Sequence, residues 1–280
     1  NASANGKIVL TFDEKVKLTA SAKATLNGQE LTGAVSGKTI TFAYKGLSYA
    51  TAYTFTLVAN SVADLTDNAI ESDITYSFTT KEKPAVTKAM YDFIVPTDGS
   101  FSAALAAAAK REDTSKRFRI FIKQGDYKIP ANENKMVEGN DGKQYPSATT
   151  YLNTPNVSII GESNKNTSIT NTVPTEECDN GFGMANVLEG IGHGDVLSLE
   201  SGAVNTYFQD IKMYSSMGDK KGRDIVLNDK SNKTICKNVN LWAYQDTYVS
   251  NNQKGRFYFE GGILRGNTDF LCGKGDVYYN

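Results

Sequence analysis

The 280-residue sequence predicts an all-β protein in two parts, a small antiparallel sandwich followed by a longer parallel β-helix. Three observations lead there. Short runs of alternating apolar and polar residues fill the first eighty positions, a charged segment bearing a proline follows them, and beyond it an apolar strand recurs at intervals of 28, 22 and 20 residues.

The sandwich rests on residues 7–12, 39–44, 53–58 and 74–78, runs rich in Thr, Val, Ile, Tyr and Phe. Branched and aromatic side chains in period-two alternation fit a pleated surface buried on one side. Asn27-Gly28 and Ser36-Gly37 supply turn residues between the runs, and the regular spacing predicts an immunoglobulin-like antiparallel sandwich over residues 1–82. Leu10-Thr11-Phe12-Asp13-Glu14 and the closing Phe78-Thr79-Thr80 resemble the bacterial Ig-like modules that precede catalytic domains in surface enzymes. Gly46-Leu47-Ser48-Tyr49-Ala50 imitates a nucleophile elbow, but without a strand-to-helix context the match is chance. The linker falls at Lys81-Glu82-Lys83-Pro84, where charge and proline disfavour regular structure, and the second domain is expected over residues 89–280.

That domain opens with a helix over residues 101–110, which holds six alanines and is capped by Asp98 or Ser100. A strand at 118–122 follows. A helix that covers the first open end of a stacked sheet protects an edge that would otherwise aggregate. Aligning the later apolar strands places Asp210, Asn238, Glu260 and Asn280 in equivalent positions, with an inserted turn around 218–222. One strand per repeat at this period is a solenoid signature, and its expected form is a right-handed parallel β-helix. Asn280 falls within a strand in this alignment, so the expectation is a C-terminally incomplete β-helix whose isolated chain turns over little substrate.

Thirty basic against thirty-one acidic residues leave a net charge of -1, which gives no global attraction to nucleic acid or to an anionic membrane. No apolar run reaches the ~18–20 residues of a membrane span. The chain opens on Asn1 with no leader-like segment, as expected after removal of something upstream; the three cysteines, Cys178, Cys236 and Cys272, have neither zinc-site spacing nor the density of a disulfide scaffold. His193 is the one histidine, in a glycine-rich loop, so any histidine-dependent triad would have to pass through it.

The chemistry-bearing residues lie further on. Arg223 and Asp246 are 23 residues apart, and Asp246 and Asp269 are 23 apart again, so coils of that length would stack two aspartates and an arginine on adjacent rungs. On spacing alone, a catalytic pair and a surface ion-pair ladder are equally good readings.

Tyr244-Gln245-Asp246-Thr247 and Asp269-Phe270-Leu271-Cys272-Gly273, with the earlier turns Gly125-Asp126-Tyr127 and Gly161-Glu162-Ser163, resemble the pectin methylesterases, carbohydrate esterase family 8. The resemblance covers roughly residues 89–280 and implies a carboxylate mechanism without metal or cofactor. It implies Asp269 as the nucleophile, Asp246 as the acid and then base, and Gln245 as an oxyanion donor. Arg223 stands where the family places a second such glutamine, and the family's Leu-Gly-Arg-Pro-Trp segment is absent. Tyr244, Tyr248 and Trp242 are expected to line sugar subsites. Residues 212–237 carry seven basic and three acidic side chains, a rim that could attract anionic homogalacturonan. The resemblance implies a secreted, periplasmic or surface-located monomer; the rival reading is a non-catalytic β-helix that binds polysaccharide.

Overall fold

The computed structural model describes residues 1–173, 188, 192–217 and 222–280. The chain divides into two compact units, Asn1–Val86 and Thr87–Asn280.

In the first unit, Gly6–Thr11 pairs antiparallel with Thr39–Tyr44, which also pairs with Gly33–Ser36. A second sheet runs Gln29–Glu30, Ala24–Leu26, Ala52–Leu57 and Ile74–Thr79 in that order. Alternation sends Ile40, Phe42, Phe55 and Leu57 into the space between them, where each is fully buried. Phe42 and Phe55 meet there with ring centroids 5.0 Å apart. Asn27 and Gly28 take positive φ, as a two-residue hairpin between Ala24–Leu26 and Gln29–Glu30 requires.

The second unit begins with strand Phe93–Val95 and the helix Phe101–Lys110. Ser100 is the N-cap and accepts a hydrogen bond from the Ala103 N–H at 3.1 Å. The helix buries Phe101, Ala104, Leu105 and Ala108 against the same core as Ile120, Ile122 and Ile129, so it closes the first end of the stack.

Beyond the helix the chain winds through three parallel ladders. The first holds Tyr151–Leu152, Leu197–Leu199, Leu227–Asp229, residues 248–251 and residues 271–274. The second holds Phe93–Val95, Phe118–Ile122, Val157–Gly161, Tyr207–Gln209, residues 234–237, 256–260 and 276–279. Gly125–Ile129, Thr167–Asn171, Lys212–Tyr214 and residues 239–242 and 262–265 form the third. The unit is a parallel β-helix, as the repeats predict. Ile120, Ile159, Phe208, Cys236 and Phe259 stack in register along its interior, all buried. Each such side chain stabilises the fold by about 1.5–3 kcal/mol relative to exposure.

Left-handed residues turn the corners. Asp210, Asn238 and Gly261, with φ of 51°, 54° and 63°, link the second ladder to the third. This corrects the repeat alignment by one residue, because Glu260 pairs with Lys237 and it is Gly261 that follows Asn238. The corner demands positive φ, which Asn, Asp and Gly tolerate and Glu does not. The inserted turn expected around 218–222 lies outside the described residues except for Gly222.

Candidate active site

The segments returning from the third ladder to the first carry Asp246 and Asp269. Both aspartates take left-handed backbone, φ 58° and 44°, immediately before a strand of the first ladder begins. Gln245 bridges Thr268 in parallel, so the residues that follow them, Asp246 and Asp269, occupy matching positions on adjacent rungs, ~4.8 Å apart along the stack.

Arg223 is displaced from the expected line. It bridges Gln245, so its coil is one residue shorter than equal 23-residue spacing requires. Its side chain nevertheless reaches forward, with Nε 2.9 Å from Asp246 Oδ2. Asp246 is 8% exposed, whereas Asp269 is open to solvent. Burial pushes the Asp246 acid above the ordinary carboxylate range and the neighbouring Asp269 charge adds to this, while Arg223 and the Cys272 thiol pull the other way. Cys272 Sγ lies 3.7 Å from Asp246 Oδ1, and its own thiol is raised to about 11, mainly by burial.

The sequence reading missed Asp224. Its carboxylate is buried and accepts the N–H groups of Tyr244 at 3.1 Å and Gln245 at 2.9 Å, tying down the turn that presents Asp246. Burial raises it to about 7 despite those donors. Asp195, in the corresponding return one coil earlier, is also buried, accepts from Asn228 Nδ2 at 2.9 Å and is raised to about 6. A signal was present: an aspartate precedes each of four successive first-ladder strands, at 195, 224, 246 and 269.

Tyr248 is not a surface residue. It shares a column with Leu197 and Leu227, and strand alternation drives its ring into the core at 1% exposure, edge-on to Phe259 at 4.8 Å. Trp242 is half-buried on the outer side of the third ladder, stacked with Tyr214 at 6.4 Å and with Arg265 5.0 Å from its ring. Tyr244 is half-buried beside Asp246 in sequence. His193 makes its hydrogen bonds through its carbonyl, which accepts from Ala148 N–H at 2.9 Å.

The expected basic rim is dispersed. Lys230 pairs with Glu200, Lys237 pairs with Glu260 and Lys212 lies over Tyr214, on three different ladders; Asp219, Lys220 and Lys221 lie outside the described residues. Cys236 and Cys272 are free, and Cys178 lies outside the described residues. Among the described residues no helix is long and apolar enough to cross a membrane, and no cluster of His, Cys, Asp or Glu has the makings of a metal site.

Fold and site together define a two-part β protein: an Ig-like sandwich, then a parallel β-helix with paired aspartates on one corner. Residues 1–80 match the profile of the bacterial Ig-like domain. The remainder is similar to Pectinesterase 1 of Solanum lycopersicum, 25% identical over 184 residues, which cover 65% of this chain and 28% of that protein. It is also similar to Probable pectinesterase/pectinesterase inhibitor 60 of Arabidopsis thaliana, 27% identical over 195 residues, covering 67% and 30%. The chain thus spans under a third of the length of these relatives. Among solved structures, pectin methylesterase from carrot aligns with a TM-score of 0.47 at 20% identity, covering 71% of this chain and 52% of that one. The β-helix is thus similar, at low identity, to pectinesterases, and it follows a bacterial Ig-like domain in the chain.

Proposed function

We propose that this protein is a pectinesterase-type hydrolase that removes methyl esters from polygalacturonate, acting outside the cell. The observation that carries the reading is the register of Asp246 on Asp269 at matching left-handed turns, one carboxyl desolvated and the other exposed. Burial and the neighbouring carboxylate both favour the protonated form of Asp246.

The exposed Asp269 carboxylate attacks the ester carbonyl carbon, and the carbonyl electron pair moves to oxygen. The Gln245 amide donates to that oxyanion. Collapse of the adduct breaks the bond to the methoxy oxygen, which takes the Asp246 proton and leaves as methanol. Asp246, now a carboxylate, takes a proton from water, whose oxygen attacks the Asp269 acyl group; the product carboxylate leaves and Asp269 is regenerated. Asp224 serves as a positioning residue through the Tyr244 and Gln245 N–H groups.

One contact favours a second reading, a weakened or inactive β-helix that retains polysaccharide binding. Arg223 holds Asp246 in an ion pair at 2.9 Å and so opposes its protonation. The test is methanol release from methyl-esterified polygalacturonate by D269N, D246N and the double variant, with circular dichroism to verify folding. The esterase reading expects each single loss to be at least ~10²-fold and the double variant to be little worse, because both groups serve one cycle. Release that survives both substitutions rejects it.

A further inference from the structure

The second ladder carries an outward column that the ester chemistry leaves unused. Phe208, Cys236 and Phe259 point inward, so their strand neighbours Tyr207, Ile235 and Tyr258 point out, with Tyr278 next in register. Tyr258 and Tyr278 stack with ring centroids 5.5 Å apart and planes 5° from parallel. Ile235 and Tyr278 are 40% and 61% exposed. Four rungs at ~4.8 Å give a strip of about 14 Å, long enough for a few sugar rings.

This strip floors an open groove of about 910 Å³. Its wall holds three cations, Arg117, Lys233 and Arg256, against a single carboxylate, Asp276. No ion pair among the described residues includes Arg117, Lys233 or Arg256. Arg117 is braced by Val157 O at 3.3 Å and Ser158 Oγ at 3.0 Å, and Arg256 Nε by Asn232 Oδ1 at 3.3 Å. Lys233 is the third residue at a left-handed corner whose two earlier positions are Asn156 and Asn205, with φ of 60°, 63° and 63° along the three coils. A long cationic side chain has replaced the residue type that this backbone favours.

We propose that this groove is a second polysaccharide site, distinct from the Asp246 and Asp269 corner, and that it takes an acidic saccharide chain. Tyrosine rings and Ile235 present apolar surface to the sugar rings, tyrosine hydroxyls hydrogen-bond to sugar hydroxyls, and the three cations meet uronate carboxylates. The chain's net charge of -1 sets no general anion attraction, so the complementarity is local to the groove. The site stands on its own geometry and does not require the esterase reading.

Retention of the full chain on immobilised, fully de-esterified polygalacturonate tests it. Tyr258→Ser with Tyr278→Ser should lower affinity about ten-fold or more, because the apolar floor is lost. Lys233→Asn restores the corner's preferred residue, so folding should hold while affinity falls about three-fold and depends less on salt. Retention that depends on the tyrosine column in a chain that releases no methanol would sink the esterase reading alone. Unchanged retention by both groove variants, equal retention on neutral dextran, equal binding of single-stranded DNA, or loss of self-association in the tyrosine variant without loss of retention would each overturn the proposal.

Discussion

Two corners of the β-helix solve the same backbone problem with opposite electrostatics. Where the second ladder turns into the third, Asn238 Nδ2 donates to Asp210 Oδ1, and Asn164 Nδ2 donates to Asn238 Oδ1 at 2.8 Å, so the Asn238 amide links the one carboxylate of this corner to a neighbouring amide. Where the third ladder returns to the first, Asp246 stacks on Asp269 and carboxylate faces carboxylate. Both corners need residues that tolerate positive φ. The amide corner satisfies its polar atoms and the acid corner leaves them in tension, with burial, a like charge and the Arg223 cation acting on one carboxyl. Left-handed Asp or Asn therefore marks a turn, and its stacking partner separates a turn with satisfied polar atoms from one with juxtaposed acids.

The sharpest way to break that contrast is Asn238→Asp, which turns the amide corner into an acid one. Loss of a charge-assisted hydrogen bond and a new like-charge contact should cost about 1–2 kcal/mol at neutral pH, moderated by exposure, and the cost should shrink on acidification. Urea unfolding at two pH values reads it; equal stability at both would mean that stacking partners do not distinguish the corners. At the acid corner, Arg223→Gln removes the cation that opposes Asp246 protonation. The alkaline limb of methanol release should move to higher pH, with a rate gain above neutrality of at most about ten-fold. A loss of rate across the whole profile would instead make the guanidinium an oxyanion donor.

The buried acids give a smaller effect. Asp224 and Asp195 are raised to about 7 and about 6, above the ordinary aspartate value near 4. Between pH 4 and those values the folded chain holds protons that the unfolded chain has released. Stability is therefore highest at the acid side of this window and falls as pH rises through it. Asp224→Asn should flatten the fall near pH 6–7 by up to about 1 kcal/mol per pH unit, as read from chemical unfolding midpoints. An unchanged slope would show that Asp224 is already ionised at the acid side.

Much of the fold was legible because it depends on short-range pattern. The sandwich strands follow period-two alternation, and the helix Phe101–Lys110 follows its alanine run and the Ser100 cap. The pairing of Asp246 with Asp269 was legible because their coil keeps a constant length. The coil at Arg223 is one residue shorter between bridges, so equal spacing set that arginine opposite Asp246 when its register partner is Gln245. Glu260 was misplaced for a related reason: apolar strands align by hydrophobicity, while the corner residue is chosen by backbone conformation. Tyr248 looked like a sugar platform because it follows Gln245-Asp246-Thr247, although the leucines at 197 and 227 already fixed that column as interior. Burial of Asp224 could not be seen before the neighbouring coil was in place.

The most direct test of the account compares the two corners in one assay, methanol release from methyl-esterified polygalacturonate by the unmodified chain, Asp269→Asn and Asn238→Ala. Asn238→Ala should lower stability by about 1 kcal/mol through its left-handed backbone and lost hydrogen bonds, yet keep its rate. Asp269→Asn should remain folded and lose at least ~10²-fold in rate. Release by Asp269→Asn equal to that of the unmodified chain, or an equal loss in both variants, would contradict the assignment of chemistry to the acid corner.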